Sequence, residues 1–139
     1  MEFKENNKNI EEFNLLYDSV GWGSYDSKIT KKALDNTFYS ISVYDNNQII
    51  GYGRIIGDTI CFLYIQDIMV MPEYQGKKIG TLVMNKLLEK VKEIKKENPD
   101  LRVYVGASKD REKFYEKFGF VKRTDAGLGY GMILIDEWK

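Results

Sequence analysis

The chain has 139 residues, 43% of them hydrophobic and 14% aromatic, enough for one compact core with little room for a second. Its 21 basic and 21 acidic residues cancel, which argues against a nucleic-acid surface, because phosphate binding draws on an excess of Lys and Arg. There is no histidine and only one cysteine, Cys61, which excludes a disulfide framework and Ser-His-Asp or Cys-His hydrolases and argues strongly against a zinc site.

Met1 to Asn7 reads as a short edge strand, and its charged sequence has no apolar core of the kind a signal peptide carries. Ile10, Phe13, Leu16 and Val20 fall at helical spacing and predict a helix. Gly21 to Asp26 is a loop with Trp22 and Tyr25 on a segment expected to be mobile, and Ser27 is placed to cap a second helix reaching about Asn36. Phe38 to Tyr44 and Gln48 to Ile56 read as a hairpin turning at Asp45-Asn46-Asn47. Ile60 to Met71 is apolar at nearly every position, the pattern of a central strand buried on both faces, with Cys61 as a small core residue. That run is too short to span a bilayer and contains Asp67, so the chain reads as a soluble, cytoplasmic protein. A helical stripe follows from Ile79 to Ile94 and ends at Asn98-Pro99. Leu101 to Val105 is a strand, Ser108 is placed to cap a helix that stops at Gly119, and Phe120 to Lys122 and Tyr130 to Ile135 are expected as the last strands. The order predicts an α/β layout around a mixed sheet.

Three features carry chemistry. Gln75 to Thr81 joins a strand to a helix through small and basic residues, and the free N–H groups of a helix start form an anion site. The spacing is neither a Walker loop nor a dinucleotide fingerprint, and an ordinary turn with solvated lysines would use the same residues. Asp67 is a carboxylate in an apolar strand, costly there unless paired or neutralised; burial suits it to general-base work, or else it is a structural group hydrogen-bonded to nearby backbone. Tyr64 and Gln66 beside it could hold a water. Trp22 and Tyr25 are aromatics that could meet a substrate, or could simply plug the base of the sheet.

The stretch IQDIMVMPEYQGKKIGTLVMNKLL resembles the acyl-CoA-binding segment of the GNAT superfamily of N-acetyltransferases, whose pattern Gln/Arg-x-x-Gly-x-Gly/Ala reads here as Gln75-Gly76-Lys77-Lys78-Ile79-Gly80. FYEKFGF, Phe114 to Phe120, is similar to the family's second signature, and the element order agrees from end to end. The resemblance implies one GNAT domain over residues 1–139, with a mixed, mostly antiparallel sheet, splayed central strands and flanking helices. It implies that Gln75, Gly76, Lys77, Lys78, Ile79, Gly80 and Thr81 hold the diphosphate of acetyl-CoA. Ile68, Met69 and Val70 would pair their backbone with the pantetheine arm, and Ser108 and Phe114 would also contribute to the cofactor site. Tyr115 would protonate the leaving thiolate, with Asp67 taking the amine's proton. Lys78 stands where the family has Gly; it is expected at negative φ, leaning outward and adding charge near the phosphates.

The GW of the loop, QDIMVMPEYQG and Gly131-Met132 are similar to a group that includes plant-type serotonin N-acetyltransferases. This implies a small-molecule primary amine acceptor, such as an arylalkylamine, stacked on Trp22 and Tyr25. Direct transfer in a ternary complex follows, without metal, membrane or nucleic-acid partners, and with a homodimer as an option. A non-catalytic acyl-CoA sensor and an acetyltransferase of a protein or peptide amine are the alternatives.

Overall fold

The computed structural model describes residues 1–135. The chain divides into two compact units, Met1–Tyr104 and Val105–Lys139.

The first unit is built on a sheet in the order β1-β2-β3-β4-β5. Strand β1 (Glu2–Glu5) is the expected edge strand and pairs antiparallel with β2 (Tyr39–Asp45). Asn46 and Asn47, both at positive φ, turn β2 into β3 (Gln48–Ile56), because Asn tolerates the left-handed region that a two-residue hairpin demands. Strand β4 (Phe62–Val70) pairs antiparallel with β3. Strand β5 (Arg102–Val105) lies beside β4, where the Arg102 N–H donates to the Cys61 carbonyl at 3.0 Å.

Helix α1 (Ile10–Ser19) buries Phe13, Leu16 and Tyr17, and the Asn9 side chain caps it by accepting from the Glu12 N–H at 2.9 Å. Helix α2 (Ser27–Asp35) is capped by Asp26, not by Ser27: the Asp26 carboxylate accepts from the Lys28 N–H at 3.0 Å and Ser27 is the first helical residue. Helix α3 (Ile79–Glu97) keeps the predicted stripe and packs against β2, β3 and β4. Two glycines of β3 make this close approach possible. A Cβ at Gly51 would lie 2.8 Å from Ile79 Cγ2, and one at Gly53 would lie 2.7 Å from both Val83 Cγ1 and Ile68 Cδ1. Gly53→Ala should therefore destabilise the protein by about 1–3 kcal/mol through overpacking. Chemical denaturation checks this, and an unchanged midpoint would contradict it.

Strand β4 departs from its expected burial. Leu63, Ile65 and Met69 are inside, whereas Phe62 and Tyr64 remain 39% and 38% exposed. An apolar run thus covers an open face as well as a core face. Tyr64 fills part of that face by stacking on Tyr104 of β5, with ring centroids 5.2 Å apart. Cys61 is exposed rather than in the core. It sits in a turn where the Asp58 carboxylate accepts from the N–H groups of Ile60, Cys61 and Phe62 at 2.8, 2.8 and 3.1 Å. Those three donors hold the Asp58 carboxyl below its usual range.

In the second unit, α4 (Glu112–Glu116) is shorter than expected. Ser108 is not its cap: Arg111 precedes the helix, and Ser108 offers its backbone carbonyl to the Arg111 N–H at 2.9 Å. Phe114 and Phe118, one turn apart, pack edge to face with ring centroids 5.3 Å apart. Gly119, at φ +96°, ends the turn. Residues 120–122 and 130–135, expected as strands, form none; a 3₁₀ turn at Arg123–Ala126 intervenes. An apolar, alternating sequence becomes a strand only where a neighbour completes its ladder. Among the described residues no helix is long and apolar enough to cross a membrane.

Candidate active site

The site starts in the loop after α1. Gly21 and Gly23 take φ of +81° and +75°, which few other residues adopt without cost. The loop is fastened by hydrogen bonds at several points. The Trp22 N–H donates to the Tyr17 carbonyl at 3.1 Å, the Ser24 N–H to Asp18 Oδ1 at 2.9 Å, and Asn14 Nδ2 to the Tyr25 carbonyl at 3.2 Å. Asn14 is itself held by the buried Thr30 hydroxyl at 2.8 Å. The result is an aromatic corner. Trp22 and Tyr25, each about half exposed, flank the Tyr17 ring at centroid distances of 5.3 and 5.5 Å.

Asp67 forms the base of that corner. Between Tyr52↔Met69 and Arg54↔Gln66, β4 takes three steps where β3 takes two, so β4 carries a bulge. Asp67 lies in it at φ +56°. Its Oδ1 accepts from the Tyr17 hydroxyl at 2.7 Å and its Oδ2 from Arg54 Nε at 2.6 Å. The acid in the apolar strand is thus paired, not neutralised: Asp67 forms an ion pair with Arg54 in which the two side chains keep only 10% and 15% exposure. Arg54 also donates through Nη1 to Thr37 Oγ1 at 3.0 Å and to the Ala33 carbonyl at 3.2 Å, and its guanidinium lies over the Phe13 ring. Burial first, and the Asp67 charge second, push the Tyr17 phenol far above its usual range, so Tyr17 stays a donor to Asp67.

Tyr17 and Arg54 were not foreseen. Tyr17 falls beside the apolar stripe of its helix and gives no separate signal. Arg54 does leave one: it is the only charged residue between Gln48 and Ile56, and its opposite is the lone acid of the next strand.

Beyond the bulge, Ile68, Met69 and Val70 finish β4, and the Met71 N–H bonds to the Ile50 carbonyl at 2.8 Å. A 3₁₀ turn, Pro72–Tyr74, leads into the basic stretch. Gln75 is extended, with Nε2 donating to the Val70 carbonyl at 3.1 Å. Gly76 takes φ +79° with nothing within 4 Å of an added Cβ, and no side chain caps α3. An exposed turn without a Cβ at Gly76, opening onto uncapped helix N–H groups, fits a diphosphate. Ile79 is buried against β3 and offers a ligand only its backbone. Gly80 and Thr81 follow in the first turn of α3.

Lys78 corrects another expectation. It is the N-cap of α3 in the left-handed region, at φ +65°, instead of a helical residue at negative φ. This is why a Gly suits the position. Lys78→Gly should raise stability by up to about 1 kcal/mol by removing the left-handed penalty, less the extra freedom of Gly in the unfolded chain. Thermal or urea unfolding checks this; a destabilised variant would show that the lysine side chain contributes more than its backbone costs.

In the second unit, Tyr115 lies in α4 with its ring 5.0 Å from that of Phe114 and 6.2 Å from that of Phe120. Burial raises the Tyr115 phenol above its ordinary value, while Arg111 opposes the shift. The hydroxyl therefore keeps its proton at neutral pH. Among the described residues, no group of three or more Asp, Glu or Cys is placed to hold a metal ion.

A family model described as an acetyltransferase (GNAT) domain matches residues 16–136. The chain belongs to the GNAT acetyltransferase family. Its relatives include an N-acetyltransferase of Pyropia yezoensis, ycf52, 31% identical over 93% of this chain and 78% of its own. Among solved structures, SA2161 of meticillin-resistant Staphylococcus aureus, described as a probable acetyltransferase, is 29% identical with a TM-score of 0.79 over 96% of this chain and 98% of its own. The GNAT fold is shared more widely. An aminoglycoside 6'-N-acetyltransferase solved with coenzyme A has a TM-score of 0.69 at 15% identity, over 86% of this chain and 84% of its own. The five-strand mixed sheet with flanking helices is thus a GNAT sheet.

Proposed function

We propose that the chain is one acetyl-CoA-dependent N-acetyltransferase domain of the cytoplasm, acting on a small-molecule primary amine by direct transfer. The observation that carries this is the layout of β4. One strand bears the bulge with Asp67 facing the aromatic corner, then Ile68 to Val70, then the uncapped turn at Gln75 to Thr81. On this reading an amine site and a diphosphate site share one short piece of backbone, which supports the proposal. The family model crosses both compact units, which supports a single domain.

Acetyl-CoA, when bound, supplies an activated acetyl group. Gln75 to Thr81 hold its diphosphate through backbone N–H groups, with charge from Lys77 and Lys78, and Ile68, Met69 and Val70 align the pantetheine arm. Ser108 and Phe114 are assigned to the same binding site. Trp22 and Tyr25 hold the body of the acceptor, for which an arylalkylamine suits their two half-exposed rings. The C–N bond forms as the thioester C–S bond breaks. Asp67, whose oxygens keep free lone pairs beside the Tyr17 and Arg54 bonds, takes the proton the nitrogen loses, directly or through a water. Tyr115 gives its phenolic proton to the thiolate, and the two protons balance through solvent. Orienting the amine beside the thioester supplies much of the rate.

The test is a panel of arylalkylamines, aliphatic amines and amine-bearing peptides, read by free-thiol release from acetyl-CoA. Turnover with small amines supports the proposal. Turnover with peptides alone would reassign the acceptor. Acetyl-CoA binding without turnover on any amine would favour a non-catalytic sensor.

A further inference from the structure

Asp67 and the aromatic corner raise a problem of charge. A carboxylate bonded to the Tyr17 hydroxyl, with Trp22 and Tyr25 against the Tyr17 ring, has the composition of a cation site, since aromatic faces and an acid both attract an ammonium. An ammonium is the wrong form of the substrate, because it has no lone pair with which to attack a thioester. Yet Asp67 is not alone. Arg54 Nε lies 2.6 Å from Oδ2, and the pair together carries no net charge. The guanidinium cannot swing away easily, because Thr37, Ala33 and the Phe13 ring hold it from α1 and the end of α2. Arg54 does more than stabilise the bulge, because its charge lies within reach of anything that approaches Asp67.

We propose that Arg54 is a specificity-determining residue for protonation state: by cancelling the Asp67 charge, it stops the corner from trapping ammonium ions and leaves a hydrogen-bond acceptor for the neutral, nucleophilic amine. This rests on reading the corner as the amine site. A permanent cation beside the Arg54–Asp67 pair feels attraction and repulsion of similar size, whereas beside Asp67 alone it feels only attraction. The lysines of the loop at residues 77 and 78 belong to the other end of β4 and do not enter this balance.

The probes are benzyltrimethylammonium, which cannot lose its charge, and its neutral carbon isostere, in which a tert-butyl group replaces the trimethylammonium. Binding is read by calorimetry. The native chain should favour the cation by no more than about fivefold, the worth of a cation–π contact at exposed rings, because Arg54 cancels the Asp67 charge. Arg54→Gln should bind the cation roughly tenfold tighter and the neutral isostere unchanged, whereas Arg54→Lys, which keeps the charge, should behave like the native chain. A role in structure alone would not create this gain of affinity. If Arg54→Gln fails to fold, the native chain still decides, since a preference of tenfold or more for the cation would overturn the proposal. No gain in a folded Arg54→Gln would do the same. If neither probe binds, the corner is not an amine site and the proposal falls. Free-thiol release by the native chain, measured alongside, tells that failure from a failure of acetyl transfer itself.

Discussion

Asp67→Asn should lower kcat by roughly two to four orders of magnitude, the usual worth of a positioned proton-transfer group, with acetyl-CoA affinity held within about threefold. Asn is the right replacement for two reasons. It tolerates the left-handed backbone that Asp67 adopts at φ +56°, and it fills the same volume between Tyr17 and Arg54. Ala would fail both tests. Either variant leaves the Arg54 guanidinium buried without its anion, a loss worth up to about 3–5 kcal/mol, but Asn keeps one oxygen that can still accept from Arg54, whereas Ala keeps none. The Asn variant still abolishes the ion pair, and its amide N–H groups face a donor on one side. Unfolding is therefore measured together with kcat. A variant that folds, binds acetyl-CoA and turns over at the native rate would show that Asp67 only shapes the bulge.

Tyr115→Phe should lower kcat by about 10²- to 10⁴-fold with little effect on acetyl-CoA binding. The substitution removes one oxygen and keeps the ring that packs against Phe114 and Phe120. Both ring contacts survive the change, so fold loss from deleting the hydroxyl should be small. The phenol stays protonated at neutral pH because burial raises it above its ordinary value. At neutral pH it can therefore give a proton and cannot take one as a phenolate. The check is steady-state kinetics with a calorimetric acetyl-CoA titration. A fall in binding with kcat unchanged would assign Tyr115 to the cofactor site instead.

Much of the fold was legible because its elements announce themselves locally. The Ile79 to Glu97 helix has an unbroken stripe and a proline beyond its end, and β3 is bounded by Asn-Asn on one side and Gly-Asp on the other. What failed was non-local. Strand β4 is apolar at nearly every position, and its sequence cannot say that Phe62 and Tyr64 lie on an open face. The expected strands at residues 120–122 and 130–135 have suitable composition without a ladder. The cap of α2 was misplaced by one residue because Asp26 and Ser27 are both good caps and only geometry separates them.

The site was legible in residue type and not in state. Gln75 to Gly80 stands out through its resemblance to the GNAT segment, yet Lys78 takes a backbone the sequence does not announce, since a lysine shows no preference for positive φ. Asp67 stood out as an acid in an apolar strand. Its partner did not, because pairing across β3 and β4 depends on a bulge that shifts the register by one. Trp22 and Tyr25 were visible as loop aromatics, but the Tyr17 ring that joins them to Asp67 looked like one more core residue of α1.

The most direct measurement is the stoichiometry of the reaction itself. The purified chain is given acetyl-CoA and an arylalkylamine, and N-acetylated product and free CoA are quantified by mass spectrometry and thiol titration. The two should form one for one, and neither without the amine. Free CoA without acetylated amine, or no consumption of acetyl-CoA with any amine despite tight binding, would contradict the account of a direct N-acetyltransferase.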